Sequence, residues 1–391
     1  MEQIMRKQII VLHVVGRMDR GGAESRIMDL YRHIDREKVQ FIFMQHTSER
    51  CAFEEEVESL GGKVYHVPRF NVKNYFAYKK AWKDFFEKHP EIQVVHGHMT
   101  STAAIYLPIA KKAGVKVTIA HARSAGVDPG VKGKLTKFLR RNLYRKCDCR
   151  FTCSEIAGEA VFGNQKQEAR RAVFIPNAIE VDKFEFSQKM REEIRKELNI
   201  ENCFVIGHVG RFAAMKNHKY MIEILEQCAK LEQEKQLPET KMMFLGDGSL
   251  KEEIQKLAEE KGLDSKVLFL GNRKDVHRYY QAMDYFLLPS FYEGLPGTAI
   301  EAQASGLPGI LSDAVTDEAV ITKLMQQRSV QESAAYWAEE IIKCYTAEKA
   351  EGSAMTEFRS KVRGDYAKEV KEASFDVKEQ AKKMQEFYLV S

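Results

Sequence analysis

The sequence predicts an α/β protein made of two Rossmann-like, doubly wound domains, and three observations lead there. Its 391 residues exceed the usual ~100 to 200 of one domain, and a composition 44% apolar and 30% charged with only 9 Pro excludes a collagen-like, low-complexity or disordered chain. Short apolar runs alternate with helical patterns from end to end, which is the signature of βαβ units and parallel sheets. LHVVGRM at 12–18 is echoed by GHVGRF at 207–212. Each is a strand ending in Gly-Arg before a loop and helix, so the chain holds two first βα units.

In chain order, the first half reads as strands at 9–15, 41–45, 63–67, 94–98, 117–121, 150–154 and 173–176. The charged, helical segment 185–201 follows and marks the domain boundary. The second half reads as strands at 204–210, 241–246, 267–270, 285–289 and 308–312, and beyond 332 the pattern is helical, ending in an amphipathic helix at 378–390. The N-terminal residues run from a charged start into a strand with no small-residue cleavage site, so no secretory leader is expected. The longest apolar run, 103–110, falls far short of the ~20 residues of a membrane span. Seven cysteines, with no C-x2-C spacing among Cys147, Cys149 and Cys153, read as free thiols in a reducing compartment rather than as disulfides or a zinc site.

Charge is distributed unevenly. Residues 1–200 carry 36 Lys and Arg against 25 Asp and Glu, and residues 201–391 carry 25 against 31, so the two halves face different partners or different sides of one ligand. The richest basic run, VKGKLTKFLRRNLYRK at 131–146, includes Lys137, Arg140, Arg141 and Arg145 with apolar residues at helical spacing. Such a helix can bind anionic lipid headgroups; it can equally be a solvated face packed on its own domain. No aromatic array or nucleic-acid-binding module accompanies the charge, so no nucleic-acid partner is expected.

The segment at 290–313, SFYEGLPGTAIEAQASGLPGILSD, carries the most chemistry. Thr298 and Glu301 spell an S/T-x-x-E capping box opening a short helix, which Gly306 and Pro308 close. Glu301 therefore has a structural reading, as the reciprocal cap of Thr298, beside a functional one. No cap explains Glu293, an acid in a Gly-rich loop. A helix N-terminus at the carboxyl edge of a parallel sheet is an anion site, and two carboxylates beside it can accept hydrogen bonds from sugar or ribose hydroxyls. GRFAAMKNH at 210–218 places Arg211 and Lys216 on the loop after the second domain's first strand, where two cations can clamp a diphosphate. Neither GRMDRGG nor GRFAAMK supplies G-x-G-x-x-G, which argues against a dinucleotide oxidoreductase. His96 and His98 share a strand face with no evident third ligand, and no Asp-x-Asp stands at a strand end, so no metal is expected.

Four motifs in order, RGGAE at 20–24, IPNAIEVDKF at 175–184, Gly-Arg with a Lys five residues on (Arg211, Lys216), and Glu293 with Glu301, resemble the family-four retaining glycosyltransferases, and among them the bacterial capsular and exopolysaccharide branch. The resemblance covers nearly the whole chain. It implies the GT-B architecture, two Rossmann-like domains facing a central cleft. Residues 1–185 with a returning C-terminal helix, 375–391, would form the acceptor side, and 186–374 the nucleotide-sugar side. It further implies that Arg211 and Lys216 hold the diphosphate, Glu301 the ribose, and Glu293 the transferred sugar, with Gly294, Leu295 and Thr298 lining the donor. Asn272 and Arg273 would border the base, and Gly21 and Gly22 would lie near the phosphates. His121 would be the acceptor-side histidine, although by itself it also reads as a strand-end residue satisfied by a backbone carbonyl. Pro296 stands where many relatives have Gly, which removes one backbone donor.

The implied activity is transfer of a sugar from a nucleoside-diphosphate sugar, first a UDP-sugar, to a saccharide or polyprenyl-diphosphate-linked saccharide. Retention of configuration, independence of metals and other cofactors, and a role in cell-surface polysaccharide synthesis are implied with it. The expected location is the cytoplasm, at the inner face of the membrane if the basic run docks there. A nucleotide-sugar epimerase of similar fold and a non-catalytic nucleotide-sugar binder are the alternatives.

Overall fold

The computed structural model describes residues 8–19, 21–124, 126, 130–350, 363 and 366–391. The chain divides into two compact units, Met1–Ala178 with Asp376–Ser391, and Ile179–Phe375. Each is built on one sheet. The first sheet holds β1 (Ile9–Val15), β2 (Val39–Gln45), β3 (Val64–His66), β4 (Ile92–Gly97), β5 (Val117–Ala122), β6 (Cys149–Thr152) and β7 (Val173–Phe174), ordered β3-β2-β1-β4-β5-β6-β7. The second holds β8 (Phe204–Val209), β9 (Thr240–Leu245), β10 (Val267–Phe269), β11 (Tyr285–Leu288), β12 (Gly309–Ser312) and β13 (Met325–Arg328), ordered β10-β9-β8-β11-β12-β13. The strands of both sheets pair parallel. In each sheet the order reverses beside the first strand, as in a doubly wound Rossmann fold.

Parallel strands covered on both faces need continuous apolar runs, and β2 and β11 are buried at every residue. β13, Met-Gln-Gln-Arg, has no such run. Only Met325 is buried there, because an edge strand takes its place by pairing with β12 rather than by burying two faces. Its local sequence therefore carries no strand pattern.

The units part at 178/179 and 375/376, where the sequence reading drew 185/186 and 374/375. The Ile179 N–H donates to the Phe375 carbonyl at 2.8 Å, and the helix Val181–Phe184 packs on the helices Val276–Ala282, Gly297–Ala304 and Tyr366–Glu372, so residues 179–185 fold with the second unit. The C-terminal helix Val377–Val390 is capped by Asp376, whose carboxylate accepts from the Lys378 and Glu379 amides. It sets Ala381, Met384 and Tyr388 into the core of the first unit beside Val11, Phe41 and Phe151. Their spacing is one helical stripe.

In the second unit, a buried charge cluster ties the helix Gln188–Glu197 to the sheet. Arg191 Nη2 lies 2.5 Å from Asp284 Oδ1 and Arg195 Nη1 3.2 Å from Oδ2, while the Val205 amide donates to the same carboxylate at 2.8 Å. All seven cysteines are free thiols, and burial pushes Cys147 and Cys228 up to about 12. No described helix is long and apolar enough to cross a membrane.

Candidate active site

In the second unit the strand order reverses between β8 and β11, and a doubly wound sheet binds its ligand outside the carboxyl ends of the strands at that point. The two loops leaving it are 210–217 and 289–296, and they are stitched together. The Phe291 amide donates to the Met215 carbonyl at 2.8 Å, and Asn217 Nδ2 donates to the Pro289 carbonyl at 3.2 Å. Across this seam Lys216 Nζ is ion-paired to Glu293 Oε1, with side chains only 14% and 12% exposed, and Ser290 Oγ donates to the same oxygen at 3.2 Å. Arg211 stands on the same loop as Lys216, exposed.

The loops after β9 and β10 close the same edge. The Phe212 amide donates to the Asp247 carbonyl at 3.0 Å and the Gly246 amide to the Gly271 carbonyl at 2.9 Å. Gly246 sits at φ +140°, and a Cβ there would stand 2.1 Å from the Gly210 carbonyl oxygen, so only glycine lets the two loops approach. Gly246-Asp247-Gly248 was absent from the sequence reading, although a Gly-x-Gly directly after a strand was the available signal. Asn272 and Arg273 follow β10 and are exposed; Arg273 Nε donates to the Leu270 carbonyl at 3.0 Å and its guanidinium stacks 5.4 Å from the Tyr279 ring.

The capping box does not form. The helix Gly297–Ala304 begins after Pro296, which occupies the N-cap at φ −71° and ψ 111° with no side-chain cap. The helix starts at Gly297, before Thr298 can cap it. Thr298 is therefore the second helical residue, and its Oγ1 has no partner among the described residues. Glu301, 5% exposed, is held instead by the Tyr280 hydroxyl, 2.9 Å from Oε2 and 3.2 Å from the Thr298 carbonyl. Gly294 and the buried Leu295 lie between Glu293 and this helix. At the other end Gly306, φ +64°, completes a Schellman motif, with Gly306 N–H to Gln303 O and Leu307 N–H to Ala302 O, each 2.9 Å.

In the first unit, Gly21 is the uncapped N-cap of the helix Gly22–His33, and a Cβ on Gly22 would meet nothing within 4 Å. Arg20 of the RGGAE motif lies outside the described residues. His121, on β5, belongs to a buried cluster the sequence did not reveal. His13 on β1 is in register with His96 on β4, and His98 and Arg123 follow their strands at the same edge. Burial pushes the His13 imidazole down to about 3, helped by Arg123, and holds His96, His98 and His121 well below the usual histidine range, so all four rings are neutral at pH 7.

His13 supplies the third ring the sequence lacked, since nitrogens of His13, His96 and His98 lie within 4.8 Å of one another. The hydrogen bonding runs against a cation there. Arg123 Nε donates to His98 Nδ1 at 3.4 Å, and a guanidinium can only donate. His98 therefore carries its proton on Nε2, directed at His13 Nδ1 3.0 Å away. A metal would have to replace that proton beside a positive charge.

The basic run forms a helix at Val131–Arg140 and then a 3₁₀ turn at Leu143–Arg145, not one continuous helix. Lys134, Lys137, Arg141 and Arg145 are exposed, as is Phe138 at 71%. Arg140 is not part of that surface. It lies seven residues from Gly133 on the inward stripe, is buried, and donates from Nη2 to Thr100 Oγ1 at 2.9 Å.

Two doubly wound units in one chain are the architecture of the GT-B glycosyltransferases, and solved structures agree. Anabaena HepE in complex with UDP superposes with a TM-score of 0.75 at 17% identity over 97% of this chain and 99% of its own. The chain belongs to the family-four glycosyltransferases: the model described as Glycosyltransferase Family 4 matches residues 20–183, and Glycosyl transferases group 1 matches 190–357. EpsF of Bacillus subtilis (strain 168) is 33% identical over 347 residues, 86% of this chain and 88% of that protein. The Escherichia coli UDP-Gal:alpha-D-GlcNAc-diphosphoundecaprenol alpha-1,3-galactosyltransferase is 27% identical over 232 residues, 58% of this chain and 59% of its own.

Proposed function

We propose that the protein transfers a sugar from a UDP-sugar to a saccharide carried on a polyprenyl diphosphate, with retention of configuration and without a metal, in the building of a cell-surface polysaccharide. The observation that carries this is the Lys216–Glu293 pair at the switch point of the second sheet. It sets a cation for a diphosphate directly beside an acceptor of hydroxyl hydrogens. UDP in a structure of the same fold and the diphosphoundecaprenol acceptor named for a relative support the choice of substrates.

As the anomeric C–O bond breaks, its electron pair passes to the diphosphate, whose charge rises. Lys216 and Arg211 stabilise that charge more in the transition state than before it. The amides of the first turn of Gly297–Ala304 point out of an uncapped helix end and add to the same field. Glu293, exchanged from Lys216 by the phosphates, accepts from a hydroxyl of the transferred sugar, and Glu301 from the ribose. Asn272 and Arg273 border the base. For the first unit, the family resemblance assigns Gly21 and Gly22 to the phosphates and His121 to the acceptor side. The acceptor hydroxyl enters on the face the diphosphate leaves and gives it its proton, which accounts for retention without a protein nucleophile.

The exposed Phe138 among Lys137, Arg141 and Arg145 holds this unit against an anionic cytoplasmic membrane surface, where a polyprenyl carrier resides. The test is incubation with a panel of nucleotide sugars and a diphosphopolyprenyl saccharide. Acceptor-dependent release of nucleoside diphosphate with a lengthened saccharide is the expected result. An epimerised nucleotide sugar formed without acceptor, or donor binding with no turnover, overturns it.

A further inference from the structure

We propose that Tyr388 is a positioning residue for His121: through His96 it fixes the His121 tautomer that carries its proton on Nε2, so that His121 acts as a hydrogen-bond donor and not as a base. The inference rests on the proposed transfer reaction for its catalytic meaning. The Tyr388 hydroxyl is 2.7 Å from His96 Nδ1, and His96 Nε2 is 2.9 Å from His121 Nδ1. His121 Nε2 makes no hydrogen bond of normal geometry among the described residues. Tyr388 and His121 are both 0% exposed.

A neutral imidazole has one N–H and one lone pair, so the protons of this chain must all point one way. If Tyr388 donates, His96 carries its proton on Nε2, donates to His121 Nδ1, and leaves His121 with Nε2–H. If Tyr388 accepts, every step reverses. Its own buried O–H then has no acceptor among the described residues, and His121 Nε2 becomes an unpaired acceptor as well. The first sense leaves one buried group unpaired and the second leaves two, so the first prevails. The neighbouring chain from Arg123 through His98 to His13 is directional too, so the cluster is proton-ordered throughout. The remaining His121 N–H is a buried donor whose neighbour is the Ile175 backbone, with no hydrogen bond of normal geometry at Nε2 among the described residues. Tyr388 lies on the helix Val377–Val390, so that helix contributes to this cluster.

Two-bond ¹H–¹⁵N spectra of the ¹⁵N-histidine-labelled full chain report each tautomer, with His96→Gln and His121→Gln spectra giving the assignments. The wild type is expected to show His96 and His121 protonated on Nε2. Tyr388→Phe, which removes only the hydroxyl, is expected to shift His121 toward Nδ1–H and to lower turnover roughly 3- to 10-fold, the worth of about one hydrogen bond, with the donor KM unchanged. A wild-type His121 protonated on Nδ1, or a Tyr388→Phe protein matching wild type in tautomer or turnover, overturns the proposal. Should that variant fail to fold, the wild-type spectrum decides alone. Nε2–H in a protein that transfers no sugar would sink the functional reading and leave the relay; Nδ1–H in an active enzyme would do the reverse.

Discussion

Lys216 and Glu293 are ion-paired across the two loops that leave the switch point of the second sheet. The carboxylate occupies the cation in the free protein, so a phosphate must compete with it. Glu293→Gln removes the competitor while keeping a hydrogen-bonding side chain. Calorimetry should find UDP bound at least as tightly as by the wild type, with transfer lowered roughly 10²-fold, the scale of losing one group that acts in the transition state. Tenfold weaker UDP binding would mean that Glu293 holds the nucleotide rather than the sugar.

Asp284 is fully buried between Arg191 and Arg195. Asp284→Asn leaves two buried guanidinium groups without their counter-charge and should destabilise the second unit by about 3 to 5 kcal/mol. Urea unfolding would measure it. A loss under about 1 kcal/mol would show the cluster to be well hydrated.

The corrected place of Arg140 separates two effects that the sequence ran together. Lys137→Glu and Arg141→Glu should each weaken co-sedimentation with anionic vesicles about fivefold or more, since a basic residue near such a surface contributes about 1 kcal/mol, and added salt should do the same. Arg140→Glu should lower thermal stability instead. Vesicle binding that ignores both exposed substitutions and salt would make the helix plain scaffold.

Stability should fall in mild acid. Burial pushes His13 and His218 down to about 3 and holds His96, His98, His121 and His208 well below their usual range, whereas the unfolded chain takes up protons near 6.5. Between those values the unfolded state binds more protons, so the free energy of unfolding rises with pH at about 1.4 kcal/mol per pH unit for each such ring. Stability is therefore full above about pH 6.5 and is lost as pH falls through that window. A urea midpoint equal at pH 7 and pH 5 would contradict the buried neutral cluster.

The parts of the fold visible in the sequence were those with a local cause. The central strands, such as β2 and β11, are apolar because parallel sheets bury both faces; β13, an edge strand polar at three of its four residues, has no such cause. Gly306 was legible as a helix end because a left-handed residue after a helix is a local need. The capping box was misread because Pro296 competes for the same helix start, and Arg140 because charge alone does not say which stripe of a helix faces inward. Arg211, Lys216, Glu293 and Glu301 stood out by position after strands, but the pairing of Lys216 with Glu293 joins loops far apart in sequence. The histidine cluster depends on register still further. His13, His96, His121 and Tyr388 come from β1, β4, β5 and the final helix, and no spacing along the chain announces them.

The central claim is that the cations at this switch point stabilise a departing nucleoside diphosphate during transfer to an acceptor. The direct measurement is nucleoside diphosphate release by wild type and Lys216→Ala side by side, with and without a diphosphopolyprenyl saccharide. Release that requires the acceptor and falls roughly 10²- to 10³-fold in the variant, as for loss of one preorganised donor, is the predicted result. Release by Lys216→Ala at the wild-type rate would contradict the account.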